Sequence, residues 1–124
     1  MTKGSHDTLN LIAQAIYDKK GFNILALDVR KISTMTDYYI IAEGNVDRHI
    51  RAISSLISEK MSETKLKPLH VEGLASGDWV VLDYGDVVIH LFTPDLREKY
   101  ALEKLWHDSK IVDVKIQVAA AQEE

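Results

Sequence analysis

The sequence predicts a single α/β domain built on a mixed sheet of about five strands flanked by helices. Three observations predict it. The chain has 124 residues and a mass of 14.0 kDa, enough for one self-supporting core and too little for two. Apolar residues recur at helical spacing in three segments and as short β-branched runs in five others. Those segments alternate in the order αββαβββα, with no internal repeat.

Leu9, Ile12, Ala13 and Ile16 share one helical face, and the Lys19-Lys20-Gly21 ending supplies a basic last turn and a glycine stop, so a helix is expected over 7–20. Residues 24–29 read as a short buried strand. The polar, hydroxyl-rich stretch 30–36 connects it to a second strand over 37–42. Asn45 has the side chain of an N-cap. Val46, Ile50, Ile53, Ile57 and Met61 then form one apolar stripe along a helix running to about residue 65. A third strand is expected over 69–74, linked to the second through that helix as a parallel crossover unit. Residues 78–84 and 87–93 are two further strands, and Gly85-Asp86 between them suits a two-residue hairpin turn. Thr93 and Pro94 can start a last helix that continues through Leu105 and Trp106. Residues 1–6 read as a disordered or cloning-derived lead, 7–108 as the domain, and 109–124 as a tail whose docking the pattern does not specify.

Composition narrows the function. Hydrophobic residues make up 46% and charged residues 27%, as in ordinary folded domains rather than disordered chains. With no cysteine, thiolate metal sites, disulfides and cysteine nucleophiles are excluded, and no oxidising compartment is required. No apolar run approaches a membrane span and no signal-peptide pattern opens the chain, so the cytosol is the expected location and no membrane partner is expected.

The net charge of −4 is not that of a nucleic-acid binder, and its distribution is uneven. Residues 68–96 contain no Lys or Arg but hold Glu72, Asp78, Asp83, Asp86 and Asp95. A buried strand region or an acidic docking surface each accounts for such a stretch. If Gly85-Asp86 is the turn, Tyr84 faces Val87, Asp83 faces Val88 and so on to Trp79 facing Phe92. One face then carries Tyr84, Leu82, Val80, Val87, Ile89 and Leu91, an apolar core surface. The other carries Trp79, Val81, Asp83, Val88, His90 and Phe92, too apolar for water and too polar for an ordinary core. A helix of the chain can cover it, which suits Val88 and Phe92. Another protein can, which suits Trp79, Asp83 and the turn residue Asp86, because aromatic anchors beside carboxylates fit a basic partner.

Catalytic patterns are missing. His49, His70, His90 and His107 are dispersed without the i, i+4 spacing of a helical zinc site, and the six glycines form no phosphate loop. Asp83 and Asp86 fall on a strand and in its turn, without further convergent ligands, so neither a metal nor a cofactor is expected. Arg48, His49 and Arg51 near a helix start suit either a phosphate or a solvated helix face.

At these residues the chain resembles a known family. Ala26-Leu27-Asp28-Val29, Asp37-Tyr38-Tyr39-Ile40-Ile41-Ala42, Arg48-His49, Val71-Glu72-Gly73, the run from Asp78 to His90, and Leu102-Glu103-Lys104-Leu105-Trp106 resemble the ribosomal silencing factor family, also called Iojap-related, in order from about Leu9 to Trp106. The resemblance implies a nucleotidyltransferase-like fold without an active site. It implies a translational repressor that binds ribosomal protein number fourteen of the large subunit, blocks joining of the small subunit and accompanies late large-subunit assembly. Homodimers are frequent in the family, so a second copy is an expected partner, and ribosomal RNA a peripheral one. By position the resemblance puts the ribosome-facing patch at Trp79, Asp83, Tyr84, Gly85 and Asp86. Asp78 and His90 join it from the charge count and the hairpin faces. Asn45-Val46-Asp47 departs from the small hydroxyl residues usual in the family, so that helix start is given no role. The lack of an organellar transit segment favours the bacterial branch. Two alternatives stand beside this reading: a Mg²⁺-dependent nucleotidyltransferase using Asp28, Asp83 or Asp86, and a ribosomal-RNA-binding module using Arg48, Arg51 and nearby lysines.

Overall fold

A computed structural model describes residues 5–100 and 109–118. In chain order the elements are α1 (Ser5–Asp18), β1 (Phe22–Asp28), β2 (Tyr38–Glu43), α2 (Asp47–Glu63), β3 (His70–Glu72), β4 (Trp79–Asp83), β5 (Val87–Phe92), α3 (Pro94–Tyr100) and β6 (Lys110–Val112). The strands form one six-stranded sheet in the order β3-β4-β5-β2-β1-β6, in which β2 and β5 run parallel and the other neighbours antiparallel.

The two amphipathic helices cover one sheet face. Leu9, Ile12 and Ile16 of α1 and Ile50, Ile53, Ile57 and Met61 of α2 pack on Ala26, Ile40, Ala42, Val80, Leu82, Ile89 and Leu91. Burial of each Leu, Ile, Val and Met side chain among these is worth roughly 1.5–3 kcal/mol, and this face is the main core. The other face holds a smaller cluster in which Leu27, Val29, Ile41 and Phe92 are buried, with Leu25, Tyr39, Trp79 and Leu96 of α3 around them.

Several local expectations are corrected. The helix α1 begins at Ser5, and the His6 ring meets the Tyr38 ring edge-on at 6.0 Å. Its stop is made by Lys20, not Gly21. Lys20 takes φ +69 while Gly21 N–H donates to the Ile16 carbonyl and Lys20 N–H to that of Tyr17, a Schellman closure. Gly21 is required for closeness instead: a Cβ there would lie 2.4 Å from Ile16 Cγ2. The end of α2 repeats the closure with Lys65 at φ +67. Val46 rather than Asn45 is the N-cap of α2 and makes no side-chain cap bond. Within the first turn Asp47 Oδ1 accepts from Arg48 N–H at 2.9 Å, and just before the helix His49 Nδ1 accepts from Asn45 N–H at 2.9 Å. That leaves the ring proton on Nε2, which donates to the Lys19 carbonyl at 2.7 Å and ties the end of α1 to the start of α2.

The third strand is shorter than expected and does not neighbour the second. It pairs antiparallel with β4 at the sheet edge, so it runs parallel to β2 in direction while β4 and β5 lie between them. The crossover is therefore split by the hairpin that follows it. A sixth strand, β6, joins the opposite edge beside β1. Beyond it, Lys115 N–H donates to Asn10 Oδ1, and Gln14 exchanges two bonds with the backbone of Gln117, fastening residues 113–118 along α1. The expected continuation of the last helix through Leu105 and Trp106, and His107, lie outside the described residues.

A candidate docking ribbon on the β4–β5 hairpin

The hairpin has the register its turn dictates. Trp79 pairs with Phe92, Val81 with His90 and Asp83 with Val88 on one face, while Val80 pairs with Leu91 and Leu82 with Ile89 on the core face. Gly85 takes φ +89 at the first central position and Asp86 has no positive φ, the arrangement of a type II′ turn. Asp83 Oδ1 accepts from Gly85 N–H at 2.8 Å, which fixes the carboxylate against the turn. The Asp86 carbonyl accepts from Asp37 N–H at 3.1 Å and Tyr38 N–H at 3.0 Å, bolting the turn to the start of β2. Its side chain is exposed, as is that of Asp37. Asp83, Asp86 and Asp37 thus share one end of the sheet.

From that end, a strip of rings runs back along the face opposite the main core. The Tyr39 and His90 rings lie 5.6 Å apart, His90 and Trp79 6.1 Å, and Trp79 and Phe92 5.4 Å. Trp79 Nε1 donates to His90 Nδ1 at 3.1 Å. Burial disfavours the charged imidazole and holds His90 down to about 4, so the ring is neutral at physiological pH and accepts this bond. Burial, and then the negative charge of Asp83, push the Tyr39 phenol up.

The seven residues singled out from sequence do not form one patch. Asp83, Gly85 and Asp86 come together at the hairpin tip. Trp79 and His90 lie on the same face as Asp83 but further along it. Trp79 is half-buried at the base of the ribbon, its ring against those of His90 and Phe92. Phe92 is sealed completely. Tyr84 points the other way, against the main core, and burial pushes its phenol up. Asp78 sits at the opposite end of β4, roughly 16 Å along the strand from Asp83. There it accepts from the Ser76 hydroxyl at 2.9 Å and its carbonyl accepts from Thr93 N–H.

Glu72, one of the acidic residues of the stretch without Lys or Arg, is exposed opposite Val81. Two neighbours of the tip escaped the sequence reading. Tyr39 stands beside Val88 on the adjacent strand. Leu69 is 67% exposed, and a Cβ on Gly85 would touch its Cδ1 at 3.4 Å. The pleat of β2 carried the signal for Tyr39. Leu69 had none, because it precedes a strand whose partner was misassigned.

The chemistry of the alternatives is not assembled. Asp28 is held in a two-point ion pair with Arg30, at 2.8 and 3.0 Å, and that pairing keeps its carboxyl below the usual range. It stands on the core face of β1, whereas Asp83 is on the opposite face of β4 and Asp86 in the turn. Among the described residues no group of three His, Cys, Asp or Glu side chains could hold a metal ion. Arg51 is occupied as well: it donates to the Leu74 carbonyl at 3.2 Å and pairs with Asp47 at 3.0 Å, holding the loop before β4. No described helix is long and apolar enough to cross a membrane.

Among the described residues this α/β domain displays its carboxylates along a ribbon and does not converge them. Comparison with known proteins gives the family. The chain matches the family described as "Ribosomal silencing factor during starvation" over residues 2–124, and it belongs to that family, whose members are ribosome-binding factors and not enzymes. It is 41% identical over 106 residues to "Ribosomal silencing factor RsfS" of Bacillus subtilis, covering 86% of this chain and 90% of the relative. It is 29% identical over 120 residues to the mouse protein "Mitochondrial assembly of ribosomal large subunit protein 1", covering 94% of this chain and 53% of that protein. Its fold is similar to a crystal structure of a Chromobacterium violaceum protein, with TM-score 0.82 at 31% identity over 96% of this chain and 97% of that one.

Proposed function

We propose that this chain represses translation by docking the hairpin tip onto a basic protein of the large ribosomal subunit, ribosomal protein number fourteen, so that the body of the domain stands where the small subunit would join. The observation that carries the reading is electrostatic. Asp83, Asp86 and Glu72 belong to a stretch without Lys or Arg, and none of them enters an ion pair among the described residues. Leu69, exposed beside the turn, adds the apolar centre that such a rim of charge surrounds. Blocking needs only bulk, so no catalytic step is involved. The mouse relative's name extends the reading to large-subunit assembly, a task the same dock serves.

The test is co-sedimentation with purified large subunits and a subunit-joining assay on sucrose gradients. Asp83→Lys together with Asp86→Lys should abolish both binding and inhibition while the melting temperature holds. Undiminished binding by that variant refutes the assignment of the tip. The association rate of the parent chain should also fall as salt rises, since exposed carboxylates steer a basic partner.

A second copy of the chain is the other reading of this rim. Val71 and Leu69 are exposed along β3, whose outer edge has no strand beside it among the described residues. Sedimentation equilibrium at rising concentration reads self-association directly, and Val71→Lys should abolish it.

A further inference from the structure

The same end of the sheet that carries the acidic tip carries its opposite three strands away. Asp28 closes β1 beside Tyr38, and Lys110 opens β6 beside Asp28. A cleft of about 350 Å³ opens there, lined by Asp28, Arg30, Lys31, Ile32, Ser109 and Lys110. From β5 across β2 and β1 to β6 is three strand spacings, so the cleft lies roughly 14 Å from the hairpin. The protein contact proposed above does not use it.

Its chemistry is that of an anion site. Arg30, Lys31 and Lys110 outnumber the one carboxylate, and Asp28 is already neutralised by Arg30. That pairing also aims the guanidinium. Asp28 takes the Nε/Nη2 edge, and the Tyr38 ring lies 5.5 Å beneath Cζ, so the planar group is held from one side and from below. The Nη1 corner makes no bond among the described residues and completes a second fork, the geometry that receives two phosphate oxygens. Lys31 and Lys110 are exposed at the mouth as point charges that track a backbone.

We infer that this cleft grips a phosphodiester backbone of the large subunit's RNA, giving the domain a second, RNA-directed contact beside its protein-directed one. The inference rests on the docking reading for the source of the RNA, since an assembled large subunit presents protein and RNA side by side. An acidic tip and a cationic cleft on one end of one sheet match such a mixed surface, and each repels the other's ligand. Register follows from this: the chain can seat in one orientation only.

The experiment uses the full chain and a variant carrying Lys31→Glu and Lys110→Glu, both at exposed positions, with melting temperature as the folding control. The first arm titrates a short RNA hairpin at low salt, with inorganic phosphate as competitor at constant ionic strength. The variant should bind about tenfold more weakly, and its salt slope should fall by about two, one for each lost phosphate contact. Equal binding by the two chains, or no binding of RNA by the parent, overturns the assignment. So does complete displacement of RNA by millimolar phosphate, which marks a small-anion site. The second arm uses whole large subunits and the isolated basic ribosomal protein. The lysine variant should lose about tenfold on subunits and nothing on the isolated protein, whereas Asp83→Lys with Asp86→Lys should lose both. If the aspartate variant binds subunits normally, the docking reading fails and the RNA arm still judges the cleft.

Discussion

Acidification should weaken this domain through one identifiable side chain, the imidazole of His90. In the folded chain its ring lies among Tyr39, Trp79 and Phe92 and accepts the Trp79 indole N–H, and burial holds it down to about 4. In the unfolded chain it takes up its proton near 6.5. Between those two values the unfolded state holds more protons than the folded one, so stability falls as pH falls from about 6.5 to about 4 and changes no further, through this group, below that. The full difference corresponds to about 3 kcal/mol, and at pH 4.5 about 2.5 kcal/mol of it has been lost. Carboxylates titrate in the same range, so the measurement is a comparison. Urea unfolding at pH 7 and pH 4.5 is run on the parent chain and on His90→Gln, whose amide oxygen keeps an acceptor for the indole. The parent should lose about 2.5 kcal/mol more than the variant between the two pH values. Equal losses in both chains would mean that the folded state accommodates the imidazolium and that the ring strip is open to water.

Three further outcomes follow from the packing. Arg97 of α3 pairs with Glu43 at 3.2 Å, both nearly buried, and also bonds the Asn23 carbonyl, so Arg97→Ala should cost about 3 kcal/mol by leaving Glu43 buried and unpaired; an Arg97→Met, Glu43→Leu double variant should recover most of it in thermal unfolding. Lys20 and Lys65 each hold a left-handed backbone at a helix end, and replacing either by Gly should stabilise by about 0.5–1 kcal/mol in the same assay. Leu69→Ser should leave the melting temperature unchanged, because the side chain is already exposed, while weakening co-sedimentation with large subunits several-fold.

The main core and the hairpin could be read from sequence because both depend on local repetition. The stripe from Ile50 to Met61 names its own buried face, and Gly85-Asp86 fixes every cross-strand pair from Asp83–Val88 to Trp79–Phe92. Which strands neighbour each other is not local. A helix between β2 and β3 fixes their relative direction, and nothing in either strand says that a later hairpin will insert between them. The helix ends at Lys20 and Lys65 were hidden for a related reason. Paired Schellman bonds offset the backbone cost of a left-handed lysine, and those bonds involve carbonyls that carry no side-chain signature. The small cluster that Trp79 joins was only partly legible, because Leu96 reaches it from a helix after the hairpin. The cationic cleft is the extreme case, joining residues 28–32 to residues 109–110 through a three-residue strand.

That distance along the chain bears on how the two ends of the surface act together. The hairpin tip is attached to β2 through the Asp86 carbonyl, and β2 is attached to β1, which ends at Asp28 in the cleft, with Arg30 two residues beyond it. Three strand-to-strand spacings, β5 to β2, β2 to β1 and β1 to β6, therefore separate the acidic tip from Lys110 of the cleft. A partner that engages both ends meets a fixed spacing, so the second contact forms without further ordering of the domain and its charge energy appears as affinity. A protein ligand of the tip alone gains nothing from the cleft, and free RNA gains nothing from the tip. Only a surface offering basic protein and phosphate at that separation gains from both, which is how a small domain of modest net charge can distinguish an assembled particle from its separate parts.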